Sequence, residues 1–139
     1  MSVIDNVITR LQQLALQSAE VTIKSAPQTP PDSAAVLPLS VAWIAGGDVT
    51  AVAYGDVKMI LNIQVDIHVN LKTLKSACTQ INGIIPDFMR RLAGDPSLND
   101  EASTIVFPVT CEVAPTQWNN LQTLMASFTI PIKFRTETL

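Results

Sequence analysis

Between residues 60 and 70 the chain reads ILNIQVDIHVN, and apolar and polar positions alternate almost without error. Leu61, Ile63, Val65, Ile67 and Val69 point one way. Asn62, Gln64, Asp66 and His68 point the other. Side chains on a strand alternate between its faces, so this is a long half-buried strand, spanning about 57–70. Its apolar side belongs to a core. Its polar side meets water, a site or another chain.

The same reading places the other elements. Val3, Ile4, Val7, Ile8, Leu11, Leu14 and Ala15 recur at helical spacing and predict a helix over 3–17. Ser2 and Asp5 suit its N-terminal end, and Arg10, Gln12, Gln13 and Gln17 fall on the wet side. Residues 24–38, KSAPQTPPDSAAVLP, carry four prolines and no periodicity. They predict an extended loop or arm, either a plain linker or a segment lying on a neighbouring subunit. A strand follows at 39–45, then a turn at GGDV (46–49), a short strand at 49–53 and a turn at Gly55–Asp56.

Leu74, Cys78, Ile81, Ile85, Phe88, Met89 and Leu92 predict a second helical segment over 71–93. Gly83 and Pro86 predict a kink, or two helices meeting, near 83–86. Gly94 is a natural stop, followed by a turn-rich stretch over 95–102. Two strands close the chain, at 103–113 and 124–134, with PTQWNN (115–120) as their loop; Trp118 either anchors it or is an exposed aromatic in a protein contact. Pro108 and Pro131 suit edge strands or outward-pointing amides. The order α-β-β-α-β-β predicts an α+β domain: an antiparallel or mixed sheet of about four strands with helices on one face.

Composition changes this picture in one respect. The 139 residues suit a single domain, and 47% are apolar while only 15% are charged, against about 25% usually. So few charges leave neutral surface of the kind that contacts other chains. The net charge of −3 and the scattered basic residues disfavour nucleic-acid binding. Cys78 and Cys111 have neither zinc nor disulfide-framework spacing and read as small core residues. The N-terminus does not read as a signal peptide. The longest apolar stretch, 34–45, is too short to span a bilayer, so a soluble intracellular protein is expected.

Candidate chemistry is sparse. The one histidine, His68, shares a strand face with Asp66, and no paired nucleophile is evident; an interface or solvated face suits the pair better than catalysis. Asp95, Asp100 and Glu101 cluster at a turn without the spacing of a calcium loop. AGGDV lacks the lysine and the helix start of a phosphate loop. No cofactor or metal is implied.

The element order, the segments LPLSVAWIAGG, MILNIQVDIHVN, LKTLKSACTQINGIIPDFMRRLAGDPSL and MASFTIPIKFR, and the chain length together resemble the tail terminator (tail completion) proteins of long-tailed bacteriophages. The local patterns are Leu92 followed by Asp95-Pro96-x-Leu98, and a final strand ending in Lys133-Phe134-Arg135. The Gly83/Pro86 pair departs from an uninterrupted helix. The resemblance implies a non-enzymatic virion protein that is made in the host cytoplasm. It implies a six-membered ring on the head-proximal end of the tail tube, which stops tube growth and joins tail to head. Its partners would be further copies of itself, the tail tube protein, a neck or connector protein and the tape measure protein. DNA would pass through the lumen without specific binding.

Asn62, Gln64, Asp66 and His68 are the candidates for lumen or subunit interface. Pro27, Pro30 and Pro31 of the arm, with Asp48 and Asp56 of the turns, are candidates for contacts with neighbours or tube. The alternatives are a head-completion or neck connector protein and a small-molecule- or peptide-binding α+β domain.

Overall fold

The computed structural model describes residues 3–16, 38–53, 56–98, 103–118 and 121–134. Its elements are α1 (Val3–Leu16), β1 (Leu39–Ala53), β2 (Asp56–Asn70), α2 (Leu74–Ala93), β3 (Ser103–Ile105), β4 (Thr110–Trp118) and β5 (Leu121–Phe134). This is an α+β fold with a five-stranded antiparallel sheet, one strand more than expected. The sheet runs β1-β2-β5, and β3 and β4 both pair with the far side of β5 at different heights.

Both helices pack on one face of the sheet. Ile63, Val65, Ile67 and Val69 of β2, with Leu124, Ala126, Phe128, Ile130, Ile132 and Phe134 of β5, form the sheet side of the core. Val7, Leu11 and Leu14 of α1 and Ile81, Ile84, Phe88 and Leu92 of α2 form its other side. The rings of Phe88 and Phe128 meet edge to face, with centroids 4.8 Å apart. The alternation read in both long strands is the alternation observed, because register and burial are coupled through the two-residue period.

Four local expectations give way. GGDV is no turn: β1 runs through it, with a register shift between Ile44 and Gly46. Gly46 and Gly47 have φ of 149° and 151°, a region that side chains avoid. A Cβ on Gly47 would collide with the carbonyl of Ile60 and lie 2.7 Å from Leu61 Cα. The glycines therefore carry a bulge inside a strand.

The second helical segment is one helix. It is capped by Thr73, whose Oγ1 accepts from the Ser76 amide at 3.2 Å, and closed at Gly94. Pro86 lies inside it, on the exposed side, and Leu74 is exposed rather than part of the buried stripe.

The strand expected at 103–113 is split by residues 106–109, with a cis Phe107–Pro108 bond, and β4 takes up residues 115–118 that were expected in a loop. The split suits Pro131. Its carbonyl accepts from the Val106 amide at 2.8 Å, and the N–H and C=O of one strand residue point the same way. The missing donor of Pro131 therefore faces the gap between β3 and β4, which is how a proline sits in a central strand.

Gln12, expected in water, is buried. Its Nε2 donates to the Ser40 carbonyl at 2.9 Å, and its Oε1 accepts from Ser40 Oγ at 2.6 Å, so α1 is bonded directly to β1. Arg10 Nε donates to Asp95 Oδ2 at 2.8 Å, tying α1 to the turn after α2 by an ion pair.

Replacing Gly47 by alanine should lower unfolding free energy by roughly 1–3 kcal/mol, the scale of a strained backbone position. Gly46→Ala, with nothing within 4 Å of its Cβ, should lose less. Urea denaturation of the two variants reads the difference, and equal losses would contradict the bulge geometry.

Candidate functional site

The surfaces left for function are the exposed part of the sheet's second face and the sheet's two long edges. On the second face β2 presents Lys58, Ile60, Asn62, Gln64, Asp66 and His68, flanked by Leu39, Val41 and Trp43 of β1 and by Thr123, Ser127 and Thr129 of β5. The strand pairing thus gathers all four candidate residues of 62–68 in one row.

The row is not uniform. Asp66 and His68 are 3% and 2% exposed, while Asn62 and Gln64 are half-buried. Gln64 Nε2 donates to Asp66 Oδ1 at 3.1 Å and to Ser127 Oγ at 3.0 Å. His68 Nδ1 pairs with Thr123 Oγ1 at 2.9 Å. The bonds to Ser127 and Thr123 join β2 to β5 across the face, and the bond to Asp66 links neighbours on β2; together they satisfy polar groups that burial would otherwise penalise. Asp66 and His68 therefore serve the interior of the subunit, and of the four it is Asn62 and Gln64 that reach its surface. Burial lowers the proton affinity of His68, against a smaller upward pull from the Asp66 carboxylate.

The edges are barer. Residues 44–51 of β1 are exposed, with Ile44 42% and Val49 61% accessible. Asp48 lies in this stretch; Asp56 opens β2 in the backbone pairing with Ala53. Pro27, Pro30 and Pro31 fall outside the described residues. Strand β4 is more unusual. Cys111, Glu112, Val113, Ala114 and Pro115 are all exposed, so the strand is bare on both faces, Val113 being 47% accessible. Cys111 is thus a surface residue, contrary to the sequence reading, and Cys78 packs partly against the core.

Among the described residues no strand pairs with the outer side of β1 or of β4. The sequence does signal this surface: TCEVAPTQ has no one-sided alternation, as expected of a strand with no buried face.

A shallow, open depression of about 370 Å³ lies between Leu71, Pro115, Thr116, Gln117 and Gln122, apart from the candidate row. Among the described residues no three His, Cys, Asp or Glu side chains are grouped so as to hold a metal ion. No helix is long and apolar enough to cross a membrane among those residues. Neither the comparison with protein-family models nor that with curated proteins returns a match to this chain.

The lowered proton affinity of His68 sets a direction with pH. In the unfolded chain the imidazole takes up its proton near pH 6.5; in the folded chain it does so only at lower pH. Its contribution is whole above about pH 6.5 and is lost as pH falls below that value. Urea midpoints between pH 7.5 and 5.5 should fall more steeply for the parent chain than for His68→Asn. Parallel slopes would remove His68 from the acid response.

Proposed function

We propose that the chain is a ring-forming structural protein of a virion, of the tail-terminator kind: a ring at the head-proximal end of a tail tube that ends tube growth and supplies the surface for head joining. The observation that carries this reading is the unfinished sheet. Among the described residues a single copy leaves β4 bare on both faces and the outer half of β1 unpaired, with the apolar residues Ile44, Val49 and Val113 exposed. Open edges of this kind can pair with another chain. Contact between unlike surfaces of identical copies closes into a ring when the rotation fits.

The second face suits the inside of such a ring. The helices crowd the first face, so a sheet that curves into a ring puts them outside. Asn62 and Gln64 are uncharged, and the exposed Lys58 and Lys133 are matched on that face by the exposed Asp48 and Glu112. A lumen of this balance passes a polyanion without strong counterion-releasing contacts. The proposed partners are further copies of the chain, the tube subunit and a neck protein.

The open edge of β4 would also accept an extended peptide as an added strand, which gives the second reading, a peptide-binding domain. Light scattering across a concentration series, with negative-stain images of the same fractions, separates the two. A closed ring with a central hole is expected. A strict monomer at every concentration, with binding of extended peptides, would replace the ring reading by the second.

A further inference from the structure

We infer that copies of this chain join by sheet extension, with β4 of one copy pairing antiparallel to the outer half of β1 in the next, in the register that sets Val113 against Ile44. The inference rests on the ring reading above and specifies its interface.

Strand direction comes first. The pairs β1–β2, β2–β5 and β5–β4 are all antiparallel. Strands β1 and β4 therefore run in opposite directions at the two borders of the sheet. A second copy placed beside the first in the same orientation brings its β1 antiparallel to β4. No copy has to be inverted, and the ladder continues as one antiparallel sheet.

Height comes second. Through β5 and β2, Cys111 lies level with Ala42 of its own β1, and Val113 with Ser40. The exposed part of β1 lies higher, at 44–51. To meet it, the next copy must be shifted along the strands, which is what a closed sheet requires: strands tilted by about 35–45° with a fixed stagger.

A shift of about four positions per copy is one residue per strand, about 3.4 Å along against about 4.8 Å across, a tilt of roughly 35°. A shift of about two positions gives a tilt near 20°, too flat for a closed sheet. A shift of about six positions is steep enough but sets Asp48 opposite Glu112 on the same face, and like charges directly opposed are destabilising.

The four-position register agrees with the side chains. On the helix side, Val113 meets Ile44 of the next copy, and Cys111 meets Gly47. On the other side, Glu112 meets Gly46, and Thr110 meets Asp48 with a hydroxyl that can donate to its carboxylate. The exposed β-branched side chains of Val113 and Ile44 thus cover one another. Pro115 comes level with Ala42 of the next copy, whose β1 carries α1 on that side. The neighbour's helix is thereby brought beside the bare underside of β4. Pairing of β4 with β4 about a two-fold axis would leave Ile44 and Val49 exposed and bring no helix there.

The test is directed cross-linking in the full chain, with Cys78 and Cys111 replaced by alanine. Ile44→Cys combined with Val113→Cys should form inter-subunit disulfides on mild oxidation, giving a ladder that ends at the ring size. Ile44→Cys combined with Glu112→Cys should give at least roughly tenfold less, because neighbouring strand positions point to opposite faces. In a separate chain with Cys78 replaced and Cys111 kept, Val49→Cys with Cys111 reports the six-position register and should also be weak.

Light scattering of the same proteins before oxidation keeps the two ideas separate. A ring without the Ile44–Val113 link overturns the edge pairing and leaves the ring reading standing. A dimer linked by Val113→Cys alone overturns both in favour of the two-fold arrangement. A monomer with no links overturns both.

Discussion

The fold depends on the register of β2 against β5. The two strands pair without interruption from Met59 opposite Phe134 to Asn70 opposite Thr123. On each, alternate residues enter the core that α1 and α2 cover. A slip of one residue would turn Asp66 and His68 toward Phe88 and Phe128, and Val65 and Ile67 away from them. Burial of the apolar row therefore fixes the pairing, and the pairing places the polar row. The bonds from Gln64 to Ser127 and from His68 to Thr123, which cross from β2 to β5, become possible only in that register. Buried polar groups on the second face and apolar packing on the first thus specify the same alignment from opposite sides of the sheet.

The helices are held by similar double specification. The stripe of α1 faces the core, while Gln12 bonds to Ser40 and Arg10 pairs with Asp95. Hydrophobic packing alone tolerates sliding, since it is non-directional. A buried amide bonded through two atoms to one serine does not. Thus α1 is fixed in position on β1, whose outer half no described strand covers.

Much of this was legible in the sequence, and the failures have physical causes. Strict alternation in 60–70 and 124–134 gave both central strands and their buried faces, because one face of each lies against helices. Helical spacing gave both helices. The misreadings cluster where a residue type has two uses. Gly46 and Gly47 were read as a turn, and they are a bulge, since a positive φ serves either. Gly83 and Pro86 suggested a kink or two helices meeting, yet α2 is one helix with Pro86 on its exposed side. Pro115 was assigned to a loop, yet an edge strand tolerates proline. Gln12 was placed in water because composition does not reveal a partner 28 positions away. On the candidate surface, the sequence found the polar row but could not divide buried Asp66 and His68 from half-exposed Asn62 and Gln64. That division depends on three-dimensional cover. The bare β4 strand was missed because its fragments were split between a predicted strand and a predicted loop.

The sheet borders carry a further consequence. Four strands lie side by side from β1 to β4, an even number, so the border strands oppose one another and every added copy keeps the same heading. An assembly built this way has a direction. One rim is formed near Ala53 and Asp56; the other is formed near Leu71, Gln117 and Gln122, beside the shallow depression. The two rims of the proposed assembly would differ in shape and chemistry although one kind of chain forms both. Such an object distinguishes up from down, so a stacked partner that fits one rim finds no matching surface on the other.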